Sequence, residues 1–330
     1  MKSRILIAGG YGLVGSTIAR HVRKVSKDVE LILAGRNPEK GAALAQELGG
    51  ATTAHLDVAD SARGLREVGP IDLIVAALQD PGDSLIHAAL AQGIAHIGIT
   101  KLAEDIAPIT FTALRTPPKR PIVLLGHWQA GVLTLVARKA AEVFSRVDSI
   151  QVAGLFDARD PIGPMTTGDV EHFVGRALLR EAGNWAWVDA TRHARHVRLS
   201  EESVVQGVPM SVLDVPSLAA ITGAANVRFD FLQGESLGTR AGRQASHDLY
   251  IDIEGLLRDG KRASRRTVVS DPSGNAHLTA LGVLVAIERV LGLDGRPAAG
   301  GGLHLPETLV DPDEALVRFK QFGVQVVGDV

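Results

Sequence analysis

Short apolar runs alternate with amphipathic stretches over the first 126 residues of the chain. The apolar runs predict strands at 4–8, 29–34, 52–56, 72–77, 95–99 and 121–126. Between them, helical periodicity predicts helices at 13–24, 38–48, 60–68, 83–92 and 103–115. This order is typical of an α/β fold with a doubly wound parallel sheet.

The pattern changes after residue 130, where a predicted helix (130–145) is followed by alternating or β-branched segments. Predicted strands lie at 149–156, 193–199, 204–213, 227–232, 248–256 and 262–269, with helices near 168–181 and 215–223. Polar and apolar residues alternate over 247–254, as in a sheet with one face in water, and Asp259-Gly260 predicts a hairpin turn. We therefore expect an α+β domain built on a mostly antiparallel sheet.

The last part of the chain is predicted to be mainly helical. One helix at 276–292 follows Asp271-Pro272-Ser273-Gly274, and another covers 314–322. Between them, Gly300-Gly301-Gly302 is interpreted as a flexible loop rather than a phosphate cradle, because no strand precedes it.

A glycine-rich turn joins the first predicted strand directly to the first predicted helix. Glycine permits a tight turn and lets backbone amides approach a pyrophosphate at the helix N-terminus, where the helix dipole favours negative charge. Strand, turn, helix and strand follow in the order of a Rossmann dinucleotide fold, which favours that function over a purely structural turn. The residues predicted to bind the cofactor here are Gly9, Gly10, Tyr11, Gly12, Leu13, Val14 and Gly15.

The end of the second predicted strand indicates which dinucleotide binds. NAD-preferring sheets carry Asp or Glu there, whereas this chain has Arg36 and Asn37, and Glu30 lies at the wrong end of the strand. A carboxylate would repel a 2′-phosphate, but an arginine would pair with it. We therefore predict NADP(H), contacted by Arg36 and Asn37. The alternative is that Arg36 is only a solvated loop charge.

Two further strand ends supply candidate cofactor contacts. Asp57 follows the third predicted strand and could hydrogen-bond the adenine amine, or alternatively cap the helix that starts near Asp60. Ala77 and Gln79 follow the fourth predicted strand, where small residues would leave room for the second ribose. Small residues are also common at crowded sheet ends, so that alternative stays open.

Composition excludes several classes of function. A formal charge of -2 provides no basic surplus for nucleic acid, and the absence of cysteine excludes disulfides and thiolate chemistry. No apolar run of about 18 residues is present, and the first residues lack a signal-peptide pattern. We expect a cytoplasmic protein that acts on a small molecule, without a nucleic-acid or membrane partner.

The residues available for catalysis are not those of a short-chain dehydrogenase, which needs a tyrosine with a lysine four residues later. Tyr11 lies in the glycine turn, and Tyr250 has Glu254 at that spacing. Ligands of open α/β sheets bind at the carboxyl ends of the strands. Lys101 and His127 follow two such ends and are the predicted proton-transferring residues, with a purely structural His127 as the alternative.

Polar and aromatic clusters in the second predicted domain are interpreted as structural. The segments 157–160 and 169–172 read as solvated or capping groups, and neither has the two-histidine spacing of a zinc helix, so no metal is predicted. Trp185 and Trp187 would share one face of an extended strand. An oligomer interface or a core would explain them, and a substrate platform is the alternative.

Both ends of the chain resemble the saccharopine dehydrogenase-like family. The similar segments are Ile5-Leu6-Ile7-Ala8-Gly9-Gly10-Tyr11-Gly12-Leu13-Val14-Gly15, Leu33-Ala34-Gly35-Arg36-Asn37-Pro38-Glu39-Lys40, Ala276-His277-Leu278-Thr279-Ala280-Leu281, Gly302-Leu303-His304-Leu305-Pro306-Glu307 and Asp311-Pro312-Asp313-Glu314. The resemblance implies a Rossmann domain at 1–129 that is completed by 276–330, with the α+β domain inserted at 130–275. It also implies a pyridine nucleotide and a homodimer.

The family commonly forms or oxidises carbon–nitrogen bonds, but two segments depart from its pattern. This chain has Gln129-Ala130-Gly131 where the family often carries Asp-Pro-Gly, and Ile97-Gly98-Ile99 where it often carries Tyr-Val-Asp. The leading hypothesis is an NADP(H)-dependent oxidoreductase acting on a small amine, imine or amino-acid-derived substrate in the cleft between the domains. The alternatives are a non-catalytic NADP(H)-binding sensor or scaffold, and a ketone or alcohol reductase on the same fold.

Overall fold

Two compact units, each made from two separate stretches of chain, form the structure. The computed structural model describes residues 2–163, 175–201 and 203–328. The first unit comprises Met1–Gly126 and Thr279–Leu309, and the second comprises His127–Leu278 and Val310–Val330. In both units, the second stretch returns to a sheet that the first stretch began.

A seven-stranded parallel sheet forms the centre of the first unit. Its strands are β1 (Arg4–Ala8), β2 (Glu30–Gly35), β3 (Ala51–His55), β4 (Leu73–Ala76), β5 (Ala95–Gly98), β6 (Pro121–Leu124) and β15 (Gly302–His304). Their order across the sheet is β15-β6-β5-β4-β1-β2-β3, which is the doubly wound topology that the apolar runs predicted. The central strands β1, β4, β5 and β6 are buried almost throughout, as expected for a sheet covered on both faces.

Helices connect these strands and confirm the predicted alternation. They are α1 (Leu13–Val25), α2 (Ala42–Leu48), α3 (Ser61–Val68), α4 (Ser84–Gln92), α5 (Ile106–Arg115) and the short α10 (Pro306–Leu309). The predicted helix at 38–48 begins as a 3₁₀ turn over Pro38–Gly41, because proline fits the first turn of a helix but cannot donate a backbone hydrogen bond.

The strand β15 corrects the prediction that residues 300–302 form only a loop. Gly302 begins this strand and pairs in parallel with Pro121 of β6. Gly301 lies so close to the chain before β6 that a Cβ there would come within 2.3 Å of the Pro118 carbonyl oxygen. A strand of three residues with a glycine at its start has no periodicity that could reveal it in the sequence.

A nine-stranded, mostly antiparallel sheet forms the second unit. Its strands are β7 (Phe144–Phe156), β8 (Arg176–Glu181), β9 (Asn184–Asp189), β10 (Arg195–Arg198), β11 (Val204–Pro209), β12 (Asn226–Gln233), β13 (His247–Leu257), β14 (Arg262–Asp271) and β16 (Gln325–Val327). The order is β10-β11-β12-β7-β13-β14-β16, with the hairpin β8–β9 attached to β12. Within this sheet, only β12 and β7 of the described strands pair in parallel, so the predicted α+β class is confirmed.

The helices of the second unit are α6 (Val132–Ala141), α7 (Asp214–Thr222), α8 (Leu237–Arg240) and α11 (Pro312–Gln321), and α9 (Asn275–Leu291) begins in this unit and continues into the first. Helix α6 is apolar on almost every side and packs against α7, α11 and β13. A helix that is buried all round belongs to the interior of its unit. The boundary between the two units falls within α9, after Leu278.

One predicted helix in this unit is wrong at its described end, and another is confirmed but shorter than predicted. The helix expected at 168–181 is replaced at its end by β8, which pairs antiparallel with β9 through a tight turn at Ala182 and Gly183. The start of that prediction, including the 169–172 cluster, lies outside the described residues. The helix expected at 130–145 ends at Ala141, and β7 begins at Phe144.

The C-terminal segment also differs from its predicted place. The sequence assigned all of 276–330 to the first domain, whereas Val310–Val330 belongs to the second unit. The reason is pairing and packing: β16 extends the sheet beside β14, and Lys139 on α6 lies 2.7 Å from Asp313 on α11. Among the residues that the structure describes, no helix is both long and apolar enough to cross a membrane.

A buried histidine in the first sheet predicts acid sensitivity. His96 on β5 is 2% exposed, and burial together with the charge of Lys101 lowers its pKa to about 3. An unfolded histidine titrates near pH ~6.5, so below that pH the unfolded chain takes up a proton that the folded chain does not. Folding stability should therefore fall as the pH decreases from ~6.5 towards 3.

We expect His96→Leu to flatten this dependence by up to ~1.4 kcal/mol per pH unit, the value for one linked proton. Chemical denaturation at several pH values measures the slope. His87→Leu, at an exposed position of α4, controls for the loss of a histidine. An unchanged slope in the His96 variant would contradict this assignment.

Candidate functional site

Three glycines of the turn after β1 are required by packing. Gly9 has a φ of +78°, and a Cβ there would come within 2.6 Å of the Ala77 carbonyl oxygen. A Cβ on Gly10 would lie 2.7 Å from the Ile7 carbonyl oxygen, and one on Gly15 would lie 2.2 Å from that of Gly9. The turn can therefore fold in this form only with glycine at all three positions.

Gly12 has a different surrounding, because it is exposed and stands directly before α1. The nearest atom that a Cβ there would meet is the Gly9 carbonyl oxygen, at 3.2 Å. The first-turn amides of a helix, here those of Leu13 and Val14, have no carbonyl one turn earlier to accept from them. The first turn of α1 contains no acidic side chain, so its positive end is available to an anion.

Tyr11 spans the distance from the glycine turn to the end of β2. Its hydroxyl oxygen accepts a hydrogen bond from the backbone N–H of Asn37 at 2.9 Å. Its side chain lies where side chains on Gly35 and Gly41 would otherwise be, since a Cβ on Gly35 would lie 2.2 Å from the hydroxyl oxygen and 2.6 Å from Cζ of the ring. The structure thus places this predicted cofactor residue against the segment that carries Arg36.

Arg36 and Asn37 are exposed immediately after β2. Within the described part of the chain, the Arg36 guanidinium forms no ion pair or hydrogen bond, whereas Glu30 at the opposite end of β2 pairs with Arg4 at 3.0 Å. The carboxyl end of β2, where Tyr11 contacts Asn37, is therefore followed by the unpaired positive charge of Arg36. A solvated loop charge has the same geometry, so the predicted contact with a 2′-phosphate stays a prediction.

Asp57 and the residues after β4 have structural roles in addition to their predicted ones. The Asp57 carboxylate caps the 3₁₀ turn at Val58–Asp60 by accepting from Ala59 N at 3.0 Å, which is the capping alternative stated above. Ala77 N donates to the Ala8 carbonyl at 2.9 Å, so Ala77 continues the pairing of β4 with β1. Gln79 is exposed two residues later. These contacts neither require nor prevent a bound nucleotide.

Lys101, beyond the end of β5, is held in place by an ion pair. Its ammonium nitrogen lies 2.6 Å from Asp83 Oδ1 and donates to the Asp80 carbonyl oxygen at 3.3 Å. Only 12% of the lysine side chain is exposed. The Asp80 carboxylate accepts from the Ser84 and Leu85 amides at the start of α4, which fixes this loop. Lys101 is thus a positioned cation at the same edge of the sheet as the glycine turn.

His127 is buried and uncharged. Burial lowers its pKa to about 3, and its Nε2 lies 2.8 Å from the Ser217 hydroxyl on α7. With this pKa the imidazolium form, which acts as the general acid of histidine, is absent near neutral pH, and the neutral ring is a weak base. The predicted catalytic role of His127 is therefore not supported by its surroundings, which match the structural alternative.

A strained left-handed turn follows His127. Gln129, Ala130 and Gly131 have φ values of 54°, 51° and 94°, respectively. Left-handed backbone at non-glycine residues costs of order 1 kcal/mol each and persists only where the surroundings impose it. Such strain is concentrated at functional sites.

Asp214 holds the entry to this strained turn. Its carboxylate is fully buried and accepts from the backbone N–H of Trp128 and the hydroxyl of Thr134, both at 2.6 Å. The Trp128 ring packs 4.9 Å from Phe229 and fills the space above Gly154, where a Cβ would lie 2.3 Å from Trp128 Nε1. The turn is thus held both by the hydrogen bond from its backbone to Asp214 and by the packing of the Trp128 ring.

His247 continues the network on the other side of the turn. Its Nε2 lies 2.9 Å from the Gln129 side-chain nitrogen and 3.2 Å from Trp128 Nε1. Two donors directed at Nε2 assign the ring proton to Nδ1, which is 3.6 Å from the carboxylate of Asp160. No local signal in the sequence links Gln129 to Asp214 or His247, because both lie more than 80 residues after it along the chain.

The cluster at 157–160, interpreted as solvated or capping, shows both roles: Ala158 and Arg159 are exposed, whereas the carboxylates of Asp157 and Asp160 are buried and accept from backbone amides. Asp157 is 3% exposed, and although burial opposes its ionisation, hydrogen bonds from Ser236, Thr239 and Arg159 lower its pKa to about 2. Asp160 is 5% exposed and accepts from Asn275 N at 2.8 Å, at the start of α9.

The two tryptophans of β9 lie on one face of the hairpin, as the sequence predicted. Trp185 and Trp187 are 50% and 44% exposed, with the guanidinium groups of Arg180 and Arg176 stacked 5.5 and 4.8 Å from their rings. Their exposure excludes the core interpretation for this chain alone. In the described ranges, no three His, Asp or Glu side chains gather as a metal site would require.

Comparison with known proteins identifies the fold. No family model and no curated protein matches the chain. Apo saccharopine dehydrogenase (L-Glu forming) from Saccharomyces cerevisiae is similar in structure, with a TM-score of 0.71 and 13% identity over 99% of this chain and 100% of that one. A meso-dapdh mutant from Clostridium tetani reaches a TM-score of 0.47 at 12% identity, over 97% of this chain and 99% of that one. The yeast similarity confirms the resemblance at the level of fold: the chain has the saccharopine dehydrogenase fold, a Rossmann sheet with a second, mostly antiparallel domain.

The Asp214 network predicts a large cost for a small change. Asp214→Asn keeps the shape but leaves one acceptor oxygen for two buried donors, so we expect a loss of about 1–3 kcal/mol in the free energy of unfolding. Chemical denaturation at neutral pH measures it. Asp28→Asn at an exposed position is the control and should change stability little. Equal effects of the two substitutions would show that the Asp214 contacts contribute no stability.

Proposed function

We propose that the chain is an NADP(H)-dependent oxidoreductase that transfers hydride to or from a small amine, imine or amino-acid-derived substrate. The observation that carries this proposal is the exposed, unpaired Arg36 at the end of β2, next to a turn in which packing requires glycine. A homodimer and a cytoplasmic location, expected from the sequence, belong to the same proposal.

The glycine turn supports the dinucleotide part of the proposal. Gly12 leaves the approach to the first turn of α1 open, and the Leu13 and Val14 amides there would bind the pyrophosphate. Ala77 and Gln79 at the neighbouring strand end, with Asp57 beyond them, remain the proposed contacts for the riboses and the adenine. When bound, the nicotinamide supplies the hydride.

The end of β2 supports NADP(H) over NAD(H). A carboxylate that could bind the ribose hydroxyls is absent from residues 35–38, and Glu30 at the far end is engaged by Arg4. The Arg36 guanidinium is therefore the group that a 2′-phosphate would meet, with the Asn37 side chain beside it. Arginine binds phosphate through two parallel, charge-assisted hydrogen bonds. A neutral ribose hydroxyl forms a weaker hydrogen bond with the same guanidinium.

Lys101 is the remaining candidate for the proton step. Its ammonium group is fixed by Asp83, and its largely enclosed side chain lies at the carboxyl edge of the parallel sheet, where open α/β folds bind their ligands. A lysine held there could stabilise negative charge on a reacting oxygen or supply a proton to a reacting nitrogen. His127 has no such role in this proposal, because it is neutral and bonded to Ser217.

One observation favours a second candidate, a non-catalytic NADP(H)-binding protein. Gln129 in the left-handed turn cannot exchange a proton, whereas the family often carries an aspartate near this position. The titratable residue nearby, His127, is buried. Binding and turnover therefore have to be measured separately.

Cofactor choice is tested by titrating the chain with NADPH and NADH. We expect tighter binding of NADPH, and Arg36→Asp should weaken it about ten- to a hundredfold through the lost charge-assisted hydrogen bonds, with NADH changed much less. Arg115→Asp, an equal charge change at an exposed position on α5, is the control. Tighter binding of NADH, or an equal loss for both cofactors, would overturn the Arg36 assignment.

Catalysis is tested by following NADPH consumption with a panel of keto acids in the presence of amines. We expect turnover with at least one pair, and Lys101→Met should lower kcat about 10²–10⁴-fold without changing NADPH affinity, as for the loss of a general acid. His127→Gln should retain turnover. NADPH binding without turnover on any pair would favour the non-catalytic alternative.

A further inference from the structure

We propose that Tyr11 is a positioning residue for cofactor selectivity: it braces the backbone after β2 so that Arg36 is held for a 2′-phosphate. The inference rests on the proposed function, because it assumes that the site binds NADP(H). Tyr11 belongs to the glycine turn, yet the contacts of its side chain are with the residues around Arg36. One side chain thus connects the pyrophosphate turn to the segment that distinguishes the two cofactors.

The ring of Tyr11 is enclosed by two glycines, one on each side of the exposed segment 36–40. A Cβ on Gly35 would lie 2.2 Å from the Tyr11 hydroxyl oxygen and 2.6 Å from Cζ. A Cβ on Gly41 would lie 2.9 Å from Cδ1. Neither glycine has a positive φ, so the presence of the ring, rather than backbone conformation, excludes a side chain there.

The hydroxyl group supplies a specific contact in addition to this packing. The backbone N–H of Asn37 donates to it at 2.9 Å. Gly35 is still fixed by the sheet, since its carbonyl accepts from Leu56 N at 3.0 Å. Arg36 is the first residue beyond the sheet, and the Tyr11 contact fixes the chain one residue later. The backbone on both sides of Arg36 is therefore anchored.

Anchoring the backbone matters because the Arg36 side chain is long and unpaired. Binding a 2′-phosphate must restrict its rotamers, and restricting a mobile backbone as well would cost additional free energy. With the Asn37 amide held by Tyr11, only the side chain has to be ordered. The brace should thus increase affinity for ligands that carry the 2′-phosphate and leave other ligands unaffected.

Tyr11→Phe tests this directly, since it keeps the ring and removes only the hydrogen bond to Asn37. Calorimetry with NADPH and NADH, and with 2′,5′-ADP and 5′-AMP, compares two pairs of ligands whose members differ only in the 2′-phosphate. We expect the two ligands with a 2′-phosphate to bind about three- to tenfold more weakly, as for one lost hydrogen bond, and the other two to change less than about twofold. The only other tyrosine, Tyr250, has a buried hydroxyl without a partner, so Tyr250→Phe is the matched control and should change nothing.

A double-mutant cycle tests whether Tyr11 acts through Arg36. If it does, Tyr11→Phe should add little to the effect of Arg36→Ala, whereas independent contacts would give additive losses. Equal weakening of NADPH and NADH, or no change in either, would overturn the proposal. A wild-type chain that binds neither cofactor would instead refute the proposed function, and a wild-type preference for NADPH that is unchanged in Tyr11→Phe would refute only this inference.

Discussion

The first unit depends on the close approach of the glycine turn to the neighbouring strand ends. Gly9, Gly10 and Gly15 lie so near the Ala77, Ile7 and Gly9 carbonyls that none can carry a side chain. This contact joins β1, β4 and α1 at one point and directs the N-terminus of α1 towards the solvent at the carboxyl edge of the sheet. Among the described residues, a Cβ on Gly12 would contact only the Gly9 carbonyl oxygen, at 3.2 Å, so the space beside Gly12 is open to a ligand.

The same turn also supports the segment after β2 through the side chain of Tyr11. The ring requires glycine at two positions on either side of the exposed segment, and the hydroxyl holds Asn37. Arg36 thus stands on a backbone that is supported from the glycine turn. In the second unit, the strained turn at Gln129 and Ala130 is supported by Asp214 and His247 in a comparable way, with buried hydrogen bonds offsetting an unfavourable backbone.

Local patterns predicted the parallel sheet, its helices and the glycine turn, because buried parallel strands and phosphate turns have strong signals within a few residues. Elements defined by partners far along the chain were missed. The strand at Gly302 needs β6 beside it, Arg176–Glu181 is extended because β9 folds back on it, and Asp214 reaches Trp128 across 86 residues. The burial and neutral charge of His127 could not be predicted from the sequence either, because its partner Ser217 lies 90 residues away along the chain.

We propose that the Arg36 guanidinium recognises the 2′-phosphate of a dinucleotide bound at the glycine turn. A crystal structure of the chain with NADP⁺ would locate both phosphate groups. We expect the 2′-phosphate within hydrogen-bonding distance of the Arg36 guanidinium and the pyrophosphate against the Leu13 and Val14 amides, with the Tyr11–Asn37 hydrogen bond retained. A 2′-phosphate that points into solvent, or a nucleotide bound away from the glycine turn, would contradict this proposal.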